Sequence, residues 1–162
     1  MNASTVRYGS LRIPLPAQRA IDEAFAYLAR DPVVRSVIER LERSRVGHRI
    51  AIDHRHDDSY LPWSHTIRWD PTSALRTTDG GRQSPALGLA HELDHAVESE
   101  RSFDRLQAIT ITRYDTAEER RVIAGSERHA ARTLHESARR DHDGVSYRVA
   151  GPTKRYPSTG SG

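Results

Sequence analysis

His91-Glu92-Leu93-Asp94-His95 sets two imidazoles four residues apart, with a carboxylate directly after the first. On a helix, residues i and i+4 lie about one turn apart, so their ring nitrogens can converge on one ion. Glu92 points sideways from that pair and can reach a water at the open position of the ion. Two zinc ligands and a general base on one rigid element is the chemistry of the H-E-x-x-H pattern. A shuffled chain of this composition would hold the pattern in roughly three cases per hundred, so the surroundings must decide. The rival reading is a surface helix with two exposed histidines.

Those surroundings are helical. Ser84-Pro85 supplies a start, and no breaker follows except Gly88. Leu89, Ala90, Leu93, Ala96 and Val97 gather opposite the two histidines, which predicts an apolar back and a polar front. Catalytic zinc usually takes three protein ligands. Glu98 shares the histidine stripe but lies about 10.5 Å along a straight helix from His91, too far for bonds near 2 Å. It stands where a glycine break would be needed to bring in a later histidine, so a solvated or helix-end role is expected.

Glu118 and Glu119 are the remaining candidates. On a regular helix Val122, Ile123, Ser126, Ala130 and Leu134 fall within about 60° of Glu119, and Glu118 falls at the edge of that face. A carboxylate aimed into a core is costly unless it is paired or binds metal. Yet Asp115-x-x-Glu118 and Thr116-x-x-Glu119 are both capping-box patterns, so either glutamate can instead close the helix start. One residue can also do both.

The elements that must position these groups follow from periodicity. Met1 to Leu15 carries no clear period and reads as a loose N-terminus. Ile21, Ala24, Phe25 and Leu28 mark a helix, and Asp31-Pro32 caps a second one with Val34, Val37, Ile38 and Leu41 inward, ending near Gly47. Arg49 to His56 and His65 to Trp69 alternate as strands, with Asp79-Gly80-Gly81 a turn. Phe103 to Tyr114 favours a short strand at Ile109 and Ile111. A further helix is expected from Asp115-Thr116 to about Arg139, and a last strand over Val145 to Val149. His54 and His56 are expected on an edge-strand surface, His65 in the cleft, and His129, His135 and His142 at the surface. The expected fold class is α+β: one domain over 16–156, helices packed around a small, mainly antiparallel sheet, with 157–162 a flexible tail of the kind added for expression.

At 162 residues the chain suits one domain, and the lack of cysteine excludes disulfides, thiolate zinc sites and cysteine nucleophiles. Net charge is +3, and the basic residues, all but one arginine, are interspersed with Asp and Glu. Such mixing predicts a solvated surface rather than a nucleic-acid stripe. No apolar run approaches the roughly 20 residues of a membrane span, and no cleavable signal is evident.

The run WDPTSAL…SPALGLAHELDHA, followed by EERRVIAGSERHAA and a late RR…SYRVAGPT, resembles the zinc metallopeptidases among type III secretion effectors. More distantly, E-E-x-x-x-x-x-G over Glu118 to Gly125 is similar to a segment of clostridial neurotoxin light chains. The resemblance implies a compact zincin fold with Zn²⁺ on His91, His95 and Glu119, and Glu92 as base. It also implies an arginine and a tyrosine near the reacting carbonyl, for which Arg140 and Tyr147 are nearest, with Arg139 possible. The implied activity is zinc endopeptidase cleavage of a protein substrate, after delivery by a dedicated secretion system into a target cell. A catalytically inactive zinc-binding interaction module is the alternative.

Overall fold

The structure, a computed structural model, describes residues 4–158. The chain opens with two strands, β1 (Thr5–Tyr8) and β2 (Leu11–Pro14), paired antiparallel. The expectation of a loose N-terminus is therefore corrected: Leu11 and Ile13 are fully buried, and only their spacing of two hinted at it. Gly9 makes this turn possible. Its φ is +57°, and a Cβ there would lie 2.2 Å from the Glu42 carbonyl oxygen.

Helices α1 (Gln18–Leu28) and α2 (Pro32–Glu42) bury the apolar stripes read from the sequence. Asp31 caps α2 as expected, accepting from Val34 N at 2.9 Å, but the helix stops at Glu42, short of Gly47. Strands β3 (Arg49–Ile52), β4 (Ser59–Leu61) and β5 (Thr66–Trp69) complete a five-stranded sheet in the order β1-β2-β3-β5-β4. Pairings β2–β3 and β3–β5 are parallel, while β4 joins antiparallel as the edge. The expected strand to His56 ends at Ile52, and β3 is central rather than an edge. His54 and His56 instead stand in the following loop, each with Nδ1 3.5 Å from the Asp70 carboxylate.

A second sheet, of which only the turn and the last strand were expected, has the order β10-β6-β7, from β6 (Ser73–Arg76), β7 (Arg82–Gln83) and β10 (Val145–Arg148). Between the sheets and helices runs α3 (Pro85–Glu98). It is followed by α4 (Phe103–Gln107) and a short β8–β9 hairpin (Thr110–Ile111, Asp115–Thr116). Beyond them come α5 (Ala117–Val122), a π-helical turn (Ile123–Glu127) and α6 (Arg128–Thr133). The single helix expected to Arg139 is thus broken in the middle and ends early. Most sheet pairings are antiparallel, so the fold class is the α+β one expected, in a compact single domain. The tail beyond Ser158 lies outside the described residues, and no described helix is long and apolar enough to cross a membrane.

Candidate metal centre

Helix α3 is fixed at its start. Trp69, fully buried on β5, donates its indole N–H to the Pro85 carbonyl at 2.8 Å, and Ser84 caps the helix by accepting from Leu87 N. The sequence predicts a polar front, but both faces of α3 are covered. His91, Glu92 and His95 are only 4%, 7% and 3% exposed. Buried imidazoles need partners, and each ring nitrogen has one.

His91 Nε2 and His95 Nε2 stand 2.9 Å apart. Glu119 closes the group, with Oε2 at 2.9 Å from the first and Oε1 at 3.2 Å from the second. His91, His95 and Glu119 together form a group that can hold a metal ion. Thr116 Oγ1 accepts from Glu119 N at 3.2 Å, so half of the capping box forms. The Glu119 carboxylate does not turn back to complete it; it joins the histidines.

The other nitrogens point outward to carboxylates. His95 Nδ1 donates to Glu118 Oε1 at 2.8 Å, and Glu118, completely buried, is held by Arg121. Arg121 also grips both oxygens of Asp94 at 3.1 and 3.2 Å, which ties α5 to α3. His91 Nδ1 lies 2.7 Å from Glu127 Oε2 and 3.0 Å from Arg139 Nη2. Arginine cannot accept, so the Nδ1 proton goes to Glu127, which Arg139 and Gln83 hold in turn. Both Nε2 lone pairs are thereby freed toward the shared centre.

The charges are strongly coupled. Burial lowers the His95 pKa, but its hydrogen bonds to Glu118 and Glu119 outweigh it and push it up to about 10. Burial opposes ionisation of Glu127, yet Arg139 and His91 bring its carboxyl down to about 2. Glu119 is likewise held far below the usual carboxylate range by the two imidazoles, against its burial. Carboxylates and imidazoles thus favour each other's charged forms, and the group suits a cation at its centre, proton or metal.

A cavity of about 200 Å³ opens beside the cluster, lined by His91, Glu92, Glu127, Arg139, Gly88 and Asp58, with β6 and Ser146 of β10 as a wall. Glu92, the expected base, therefore faces space next to the metal group. Arg140 and Tyr147 do not, and their expected place near the reacting carbonyl is corrected. The Arg140 side chain is 78% exposed and lies 3.8 Å from Asp79. Tyr147 sits under the Arg82 guanidinium and donates its hydroxyl to the Arg155 carbonyl. Along a strand alternate residues face opposite ways, so with Ser146 on the cavity wall Tyr147 must turn outward. Arg139, weighed behind Arg140, is the arginine that points in.

Three further residues were not read from sequence as part of the site. On a regular helix Glu127 lies about 80° from Glu119; the extra residue of a π turn makes that step equivalent to seven residues, about 20°. No sequence signal marked that turn other than Gly125, whose φ and ψ are non-helical. His142, expected at the surface, has Nε2 3.4 Å from Glu119 Oε2 and its Nδ1 on Asp115. Asp58 comes in from the loop before β4. Glu98 behaves as expected, at the helix end and accepting from Ser102. Compared with family models, with curated proteins and with solved structures, the chain finds no match in any of the three.

Proposed function

We propose that the chain is a zinc-dependent endopeptidase. The observation that carries this is the meeting of His91 Nε2, His95 Nε2 and the Glu119 carboxylate, with Glu92 on the wall of the adjoining cavity. The donor set fits zinc: two imidazoles and a carboxylate are its usual borderline ligands. Bonds of about 2.0–2.1 Å in a tetrahedron separate donor atoms by roughly 3.3 Å, so contacts of about 2.9–3.2 Å need open only slightly. Outer carboxylates on both Nδ1 atoms are the arrangement that orients ligand histidines. When bound, zinc would lower the pKa of a water toward about 7 and polarise a carbonyl.

The protein groups then divide the work. Glu92 takes the proton of the attacking water and returns it to the leaving amine. Arg139 is committed to Glu127, so His142, held by Asp115 and lining the same cavity, is the side chain left to meet the developing oxyanion. An extended peptide pairs with the free edge of β4, whose backbone fixes register while the cavity selects a side chain. The resemblance to effector metallopeptidases extends the reading to delivery into a target cell and a protein substrate there.

Glu92→Gln is expected to retain one zinc per chain and to lose at least about a hundredfold in peptide hydrolysis. Metal analysis beside peptide digestion monitored by mass spectrometry tests this. A variant that cleaves like wild type overturns the mechanism. A wild-type protein that holds zinc and cleaves nothing identifies an interaction module.

A further inference from the structure

One carboxylate in the cavity has no part in the reaction just described. Asp58 accepts from Asp70 N at 2.8 Å through Oδ1. Its Oδ2 has no hydrogen-bond or ion-pair partner among the described residues. That oxygen lies against α3 at Gly88, where a Cβ would come within 2.7 Å of it. Glycine is disfavoured inside a helix, and here the missing side chain is what lets the carboxylate sit beside the turn that carries His91 and Glu92.

The arginines nearby are spent elsewhere. Arg139 is bound to Glu127, and Arg68 lies 3.6 Å from Asp57. Burial, ahead of the charge on Glu92, raises the Asp58 carboxyl well above its ordinary range. A neutral side chain entering the cavity would seal Asp58 from water without a partner, and an acidic one would meet Asp58, Asp57 and Glu92 together. A lysine or arginine side chain satisfies the free oxygen, and the volume admits one long side chain.

We propose that this cavity is the specificity pocket of the enzyme, and that Asp58 receives a basic side chain of the substrate residue flanking the scissile bond. The assignment rests on the peptidase reading above. It makes Asp58 a specificity-determining residue, and Gly88 the position that seats it.

Two measurements separate failure of the pocket from failure of the activity. In the first, the zinc-loaded protein digests paired peptides that carry arginine or norleucine beside the cleaved bond. Wild type prefers arginine at least tenfold in kcat/KM. Asp58→Asn, which keeps an oxygen for Asp70 N, lowers that ratio at least tenfold, and Gly88→Ala lowers it by displacing the carboxylate. In the second, n-butylguanidine is titrated calorimetrically into the zinc-loaded protein, and Asp58→Asn weakens its binding at least tenfold. An arginine preference that is absent, or equal in folded wild type and variants, overturns the pocket. If no peptide is cleaved, the peptidase reading fails and the titration alone decides: guanidine binding that depends on Asp58 supports the cation pocket, and its absence overturns it.

Discussion

At the scale of single residues, the metal group is defined by which way each side chain turns. Glu119 and Glu98 are the informative pair, because both glutamates neighbour the histidine stripe. Glu119 has two oxygens at 2.9 and 3.2 Å from the Nε2 atoms, whereas Glu98 closes the helix end and accepts from Ser102. Glu119→Ala is therefore expected to weaken zinc binding by about a hundredfold or more, and Glu98→Ala by less than about threefold. Competition with a chromogenic chelator measures both, and equal losses or the reverse order remove Glu119 as ligand. The i, i+4 spacing made His91 and His95 legible, and a carboxylate in an apolar stripe singled out Glu119. Arg139 against Arg140 was not legible, since adjacent residues in irregular backbone have no period to say which faces inward. Asp58 was equally hidden, as its partner Gly88 is thirty residues away along the chain.

At the scale of elements, the centre is an agreement between α3 and the segment from α5 through the π turn to α6. Capped starts were readable: Asp31-Pro32 and Ser84-Pro85 both begin helices where their side-chain chemistry says. The break over Ile123–Glu127 was not, because the wheel that singled out Glu119 assumes an unbroken helix and puts Glu127 about 80° away, outside the face. What locks the two elements is Arg121, shared between Asp94 on α3 and Glu118 on α5. Removing it leaves two buried carboxylates without their arginine counter-charge, Asp94 with its bond from Ser126 and Glu118 with its bond from His95. Arg121→Ala should cost about 2–4 kcal/mol, less than a fully buried pair because the arginine is partly exposed. Zinc affinity should fall with it, by roughly ten- to a hundredfold. Urea denaturation and chelator competition on the same variant check the two losses, and a drop in stability with metal affinity unchanged would show that α5 docks without this contact.

At the scale of the whole molecule, long-range polar ties hold the first helices onto the segment that supplies Glu119 and Glu127. Glu136 bonds Tyr27 of α1 and Ser84 at the start of α3, and Asp31 does more than cap α2. Its carboxylate accepts from Val34 N at 2.9 Å, from Thr133 Oγ1 of α6 at 2.7 Å, and from His129 Nδ1 at 2.6 Å. Neither tie was readable, since they join residues about fifty to a hundred positions apart whose local patterns are complete without the other. Burial alone would raise the Asp31 pKa, but these donors and the charge of His129 lower it below its ordinary value. A carboxyl depressed in the folded state contributes stability that is fully present above its unfolded pKa, near about 3.9, and lost as pH falls through the lower folded value. Asp31→Asn keeps one acceptor oxygen but not the charge, so it should cost about 2 kcal/mol at pH 6. The other carboxylates titrate alike in both proteins, so the difference between them isolates Asp31. Urea midpoints of metal-free wild type and variant should stay apart from pH 6 down to about 4 and converge below it. A gap that holds constant to pH 2.5 would mean that Asp31 acts only through its shape, and that its charge does not fasten α2 to α6.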